Sequence, residues 1–213
     1  MFDAHGLAPD REDLLQRYAR HEAAAEAGPY RRYRDVLTIA LRGVAAEYGL
    51  DPMAAQIDRF AASVVDWPAF PDAAAALQRL HTRSRLGVLT NCDEELFAAS
   101  NQRPGVTFDW VVTAQQVQSY KPAEANFAAL LERVGLPQDR ILHVAQSLFH
   151  DHAPAKRLGF TTAWIDRRHD EPGAGATPPS EAWPDATYPD MASFDAAAVP
   201  AAVGRPASLT GRP

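Results

Sequence analysis

Four short apolar runs, each passing at once into polar residues and then into a helical pattern, constrain this chain most. They lie at 86–90, 110–112, 141–145 and 161–165, with helical stretches at 71–83, 93–102, 123–134 and 150–158 around them. Strands spaced by helices pair in parallel through crossovers and need cover on both faces. Residues 66–200 are therefore expected to form an α/β core, a Rossmann-like parallel sheet flanked by helices. Residues 1–65 read differently, as helices without a strand: 10–27, 30–48, and a third opening at Asp51-Pro52, with the aspartate as N-cap and the proline in the first turn. The prolines of Trp67-Pro68-Ala69-Phe70-Pro71 mark the boundary between the two regions. After Arg168 the chain is rich in Pro, Gly and Ala, with a short helix expected near 191–198 and a disordered tail over 201–213.

Composition narrows the class and not the activity. A net charge of -6 and the lack of a basic run argue against a nucleic-acid partner. No apolar run approaches the roughly 20 residues of a membrane-spanning helix, and Met1 opens no signal peptide. The chain is expected in the cytoplasm, with no membrane partner. Cys92 is the single cysteine, so neither an internal disulfide nor a cysteine zinc site can form.

In open parallel sheets, ligands bind beyond the carboxyl ends of the strands, where loops and helix N-termini converge. The first strand runs into Thr90-Asn91-Cys92-Asp93, offering a hydroxyl, an amide and a carboxylate. Ser119-Tyr120-Lys121-Pro122 sets a lysine at a helix start, and the third strand ends in Ala145-Gln146-Ser147-Leu148-Phe149-His150-Asp151. These three segments point at one place.

Their order resembles the haloacid dehalogenase superfamily of hydrolases over about residues 66–168, and residues 6–65 look like the helical cap that this family inserts after its first strand. Leu89-Thr90-Asn91 resembles the family's second motif, Tyr120-Lys121-Pro122 its third, and Gln146 through Asp151 its fourth. The likeness is nearest to the L-2-haloacid dehalogenase (type II) branch, whose loop before the last aspartate has lost a metal-binding acid. It implies an aspartate that attacks the substrate carbon to form an ester, which water then hydrolyses. It also implies a small carboxylate as substrate, no cofactor, and leaves a homodimer open. Lys121 would keep the nucleophile ionised, Thr90 and Asn91 would donate to a substrate carboxylate or phosphate, Asp151 would orient Lys121 or activate water, and Ser147 would bind substrate. Plainer readings stand beside these: a surface lysine near a turn, residues capping a strand-to-helix turn, a helix N-cap, and a hydroxyl satisfying loop backbone. Phosphatases of the superfamily place an acid at or near the position of Gln146 to hold Mg2+. The neutral amide favours metal-independent chemistry, with a Mg2+-dependent small-molecule phosphatase as the alternative. Gln146 and Leu148 also depart from the dehalogenase pattern, which leaves the substrate open.

One departure is larger. The family's nucleophile sits on a first strand in an Asp-x-x-Gly-Thr-Leu type of sequence. Phe2-Asp3-Ala4-His5-Gly6-Leu7 imitates it without the threonine, and too few residues precede Asp3 for a buried central strand. We read His5-Gly6-Leu7 as a linker into the first helix, with the central strand absent because a few dozen N-terminal residues are missing, by a mis-assigned start codon or a genuine truncation. Such a chain is expected to be marginally stable and inactive as it stands, or to be a non-catalytic remnant or binding module. His143, His150 and His152 lack ligand spacing, so no metal site is expected. Cys92 reads as a space-filling residue, and Tyr30, Arg31, Arg32, Tyr33 and Arg34 fit either a substrate entrance or an ordinary helix start.

Overall fold

The computed structural model describes residues 2–198, without the side chains of Asp3 and Ala4, so the tail expected at 201–213 lies outside the described residues. Helix α1 (Arg11–Glu26) is capped by Asp10, whose carboxylate accepts from Asp13 N at 2.9 Å. Helix α2 (Tyr33–Glu47) begins three residues later than its apolar pattern suggests. The carboxylate of Asp93, distant in sequence, accepts from Tyr33 N (3.0 Å) and Arg34 N (3.3 Å) and sets where the helix starts. The cap of α3 (Ala54–Ala62) is Met53 and not Asp51: Met53 N donates to Gln56 Oε1 at 2.9 Å, and that bond to the first turn outweighs the aspartate-proline signal. Tyr33, Val36 and Leu37 of α2 share one apolar core with Cys92 and Leu96, which seats these helices on the rest of the molecule.

From Ala73 helices and strands alternate as α4 (Ala73–His81), β1 (Gly87–Thr90), α5 (Glu94–Asn101), β2 (Trp110–Thr113), α6 (Ala114–Val117), α7 (Glu124–Val134), β3 (Leu142–Ala145), α8 (Ala153–Arg157), β4 (Thr161–Ile165), β5 (Ala186–Tyr188) and α9 (Met191–Ala197). Every strand pair is parallel. Besides the short α6, which the sequence reading did not expect, two elements differ from it. The helix expected over 150–158 opens as a π-helical turn at Leu148–His152, begun by Ser147 Oγ accepting from His150 N at 3.0 Å, and becomes α8 only at Ala153. Strand β5 sits in the proline-rich stretch that carried no strand signal; Asp185 accepts from Thr162 N at 2.8 Å and so draws 186–188 alongside β4.

The sheet comes in two pieces, β1-β2 and β3-β4-β5. Among the described residues no strand pairs with the second edge of β1 or of β3. Residues 2–5 form a turn of 3-10 helix, with the Phe2 ring 5.1 Å from that of Tyr48. Leu86 and Val144 pack against the same apolar cluster, so the two pieces lie side by side. The open edges leave strands that a covered parallel sheet would bury partly in solvent, with Leu142 47% exposed. Among the described residues no helix is long and apolar enough to cross a membrane.

Candidate active site

Lys121, Asn91 and Asp151 meet where the two sheet pieces face each other. Asn91 clamps the backbone of Lys121: its Oδ1 accepts from Lys121 N (2.7 Å) and its Nδ2 donates to Lys121 O (3.0 Å). The Lys121 ammonium, thus aimed, donates to Asp151 Oδ1 at 2.7 Å and to Leu89 O at 2.9 Å. Leu86 O accepts from Trp110 N on the β2 side, so the alternation of a strand turns Leu89 O to the opposite, open edge. A side-chain cation therefore serves a carbonyl that has no sheet partner.

His143 completes the group. Its Nε2 lies 3.0 Å from Asp151 Oδ1, the oxygen that also accepts from Lys121. Burial pushes the Asp151 carboxyl up, but the Lys121 charge and the His143 hydrogen bond prevail and hold it well below the usual carboxylate range. Sequence reading weighed His143 only as a metal ligand. Its one signal was a polar residue in an otherwise apolar strand.

A cavity of about 240 Å³ opens over this group. Asn91, Lys121, His150 and Asp151 form one wall; Tyr18, Glu22 and Glu26 from α1, Tyr33 from α2, and Trp67 form the other. Glu26 crosses between them, accepting from Asn91 Nδ2 at 3.2 Å and lying 3.4 Å from His150 Nε2. Tyr18 and Tyr33 both donate to Glu22 Oε1, at 2.6 and 2.7 Å. Burial and the neighbouring Glu26 push the Glu22 carboxyl up. The Glu22/Glu26 spacing, one helical turn on the covered side of α1, is the signal that would have found this wall.

The remaining candidates are placed elsewhere. Thr90 stands in the ladder opposite Thr113, and Ser147 caps the π-helical turn with its Oγ 3.1 Å from His150 Nδ1; neither lines the cavity. Asp93 is spent on the start of α2. Of the basic and aromatic cluster at 30–34, Tyr33 alone reaches the cavity; Tyr30 stacks on Tyr120 at 5.6 Å, Arg34 pairs with Glu95 at 3.2 Å, and Arg31 and Arg32 face solvent. The Cys92 thiol is buried and pushed up to about 11, a packing residue and not a nucleophile.

A family model for haloacid dehalogenase-like hydrolases matches residues 3–159. An (S)-2-haloacid dehalogenase of Pseudomonas putida is 26% identical over 186 residues, spanning 79% of this chain and 81% of that protein. The structure of L-2-haloacid dehalogenase from Xanthobacter autotrophicus with chloropropionic acid covalently bound matches with a TM-score of 0.75 at 22% identity, over 92% of this chain and 90% of that one. A HAD-hydrolase from Bacillus subtilis bound to magnesium matches with a TM-score of 0.66 at 17% identity, over 88% and 82%. At these identities the solved structures speak to the fold.

Proposed function

Because the chain belongs to the haloacid dehalogenase-like hydrolase family, we propose that it is a hydrolase of the 2-haloacid dehalogenase type, working on a small carboxylate without a metal. The observation that carries this reading is the buried Lys121–Asp151 pair on the floor of the cavity. Lys121 supplies a fixed positive charge that keeps an attacking carboxylate ionised and offsets negative charge in the transition state. Asp151 and Asn91 aim that charge, one at the ammonium and one at the backbone. Asn91 also has an N–H on Glu26 that a substrate carboxylate would take over. Thr90 and Ser147, set back from the cavity, act by supporting the strand end and the turn.

The donor set at Asp151 supports metal-independent chemistry. Its Oδ1 already serves Lys121 and His143, and a magnesium ion there would meet the ammonium of Lys121. The attacking carboxylate belongs on a strand beside Lys121, and among the described residues no strand lies there. If no aspartate of this chain takes that place, the 213 residues by themselves hold the pocket but not the reaction.

Halide release from 2-chloropropionate and phosphate release from p-nitrophenyl phosphate, each with and without Mg2+, test the reading. They are measured on the 213-residue chain and on a form lengthened at the N-terminus so that an aspartate-bearing strand fills the gap. Mg2+-independent halide release from the longer form alone supports it. Mg2+-dependent phosphate release would move the assignment to a phosphatase, and no turnover from either form would leave a non-catalytic binding module.

A further inference from the structure

The helical wall of the cavity carries more negative charge than the hydrolase reading uses. Glu22 is buried, and the side chain of Glu26 is 5% exposed. With Asp151 they place three carboxylates around a space whose one lysine, Lys121, is already bonded to Asp151 and Leu89 O. Carboxylates removed from water against aromatic surface are costly unless a counter-charge faces them. His150 meets that need incompletely: its buried Nε2 lies 3.4 Å from Glu26 Oε2 without an aligned hydrogen bond, a polar group turned to the cavity with no hydrogen-bond partner among the described residues. Both tyrosine hydroxyls go to Glu22 Oε1, and neither reaches Oε2.

The same wall carries the rings of Tyr18, Tyr33 and Trp67, the last partly exposed, with its Nε1 on Ser63 Oγ at 3.1 Å. Aromatic faces attract organic cations, most strongly where water is displaced. We propose that this wall binds an alkylammonium group, so that the molecule held here carries a positive charge toward Glu22 and Glu26 as well as the group that faces Lys121. The proposal rests on reading the cavity as the substrate pocket and adds a substrate class to it: small molecules bearing an amino or quaternary ammonium group.

Protonation follows. The groups facing Glu22 are Tyr18 and Glu26 on its own helix, Tyr33 from α2, and His150, Lys121 and Asp151 across the cavity. Burial and Glu26 push the Glu22 carboxyl up, and an ammonium beside it would favour its charged form. Binding of an ammonium is therefore expected to tighten as pH rises through the range in which that carboxyl titrates.

Choline and its uncharged isostere 3,3-dimethyl-1-butanol are the probes, titrated calorimetrically into the full chain at pH 6 and pH 8. Choline is expected to bind about tenfold more tightly than the isostere at both pH values, and no less tightly at pH 8 than at pH 6. Glu22→Gln and Glu26→Gln should each weaken choline about tenfold while leaving the isostere unchanged, and Trp67→Ala should weaken it a few-fold. Equal affinity for the two probes, or no binding of choline, would overturn the proposal. If Glu22→Gln does not fold, Glu26→Gln and the probe comparison decide alone. None of these measurements reads turnover, so failed halide release leaves this result standing, and failed choline binding leaves the hydrolase reading standing.

Discussion

Lys121 and Asp151 form a buried ion pair, Nζ to Oδ1 2.7 Å, at the seam between two halves of a parallel sheet. Both side chains are about nine-tenths buried, at 10% and 9% exposure, so neither charge has water to fall back on. Their mutual attraction and the bond from His143 offset the loss of hydration.

Removing one partner should therefore cost more than removing both. Lys121→Met is expected to destabilise the chain by about 3–5 kcal/mol, because Asp151 is left charged and buried. The double variant Lys121→Met, Asp151→Leu should recover most of that loss. Urea denaturation of both variants checks this, and a double variant no more stable than the single one would refute it.

Acid sensitivity should appear in two stages. The buried imidazole of His152 holds its Nε2 2.9 Å from Ala145 O, leaves Nδ1 without a partner, and is lowered in pKa by burial. A histidine lowered in the folded state is protonated first in the unfolded one, so stability is full above the unfolded value near 6.5 and falls as pH drops below it. Asp151, also lowered, keeps its contribution above the unfolded value of 3.8 and loses it further down. Unfolding free energy, measured by urea denaturation, should fall between pH 7 and pH 5 by up to about 1.4 kcal/mol per pH unit. In His152→Leu, less stable at pH 7, that slope should flatten; an unchanged slope would remove His152 from the account.

The seam itself predicts weak cohesion. Among the described residues, two strand edges without ladder partners leave backbone groups to water, and side chains such as Leu142 are exposed. The 213-residue chain should melt below about 45 °C, the low end for domains of this size. Hydrogen exchange should be faster at the amides of 87–89 and 142–144 that face the seam than at those of β4, which is paired on both sides. A sharp transition well above that temperature, with uniform protection across β1, β3 and β4, would contradict the description.

What the sequence determined by itself is the local order of the molecule. Alternating strands and helices, Asn91 just past a strand end, Lys121 at a helix start and Asp151 in the loop after the third strand were legible because each depends on neighbours in the chain. The parallel arrangement followed, and with it the convergence of those three residues. Tertiary structure decided the other wall. Glu26 stands 65 residues from Asn91, and Tyr33 stands 60 from Asp93. Where α1 and α2 land on the strand ends is set by those long-range bonds and by the core around Leu37 and Leu96, not by any local pattern. The same reason reassigns Asp93 from the site to a helix cap and brings β5 out of a stretch whose composition suggests no strand. Lys121 shows both: its position at a helix start could be read from the chain, but its partners Asp151 and Leu89 O, and the His143 that shares Asp151, come together only once separate segments have been packed.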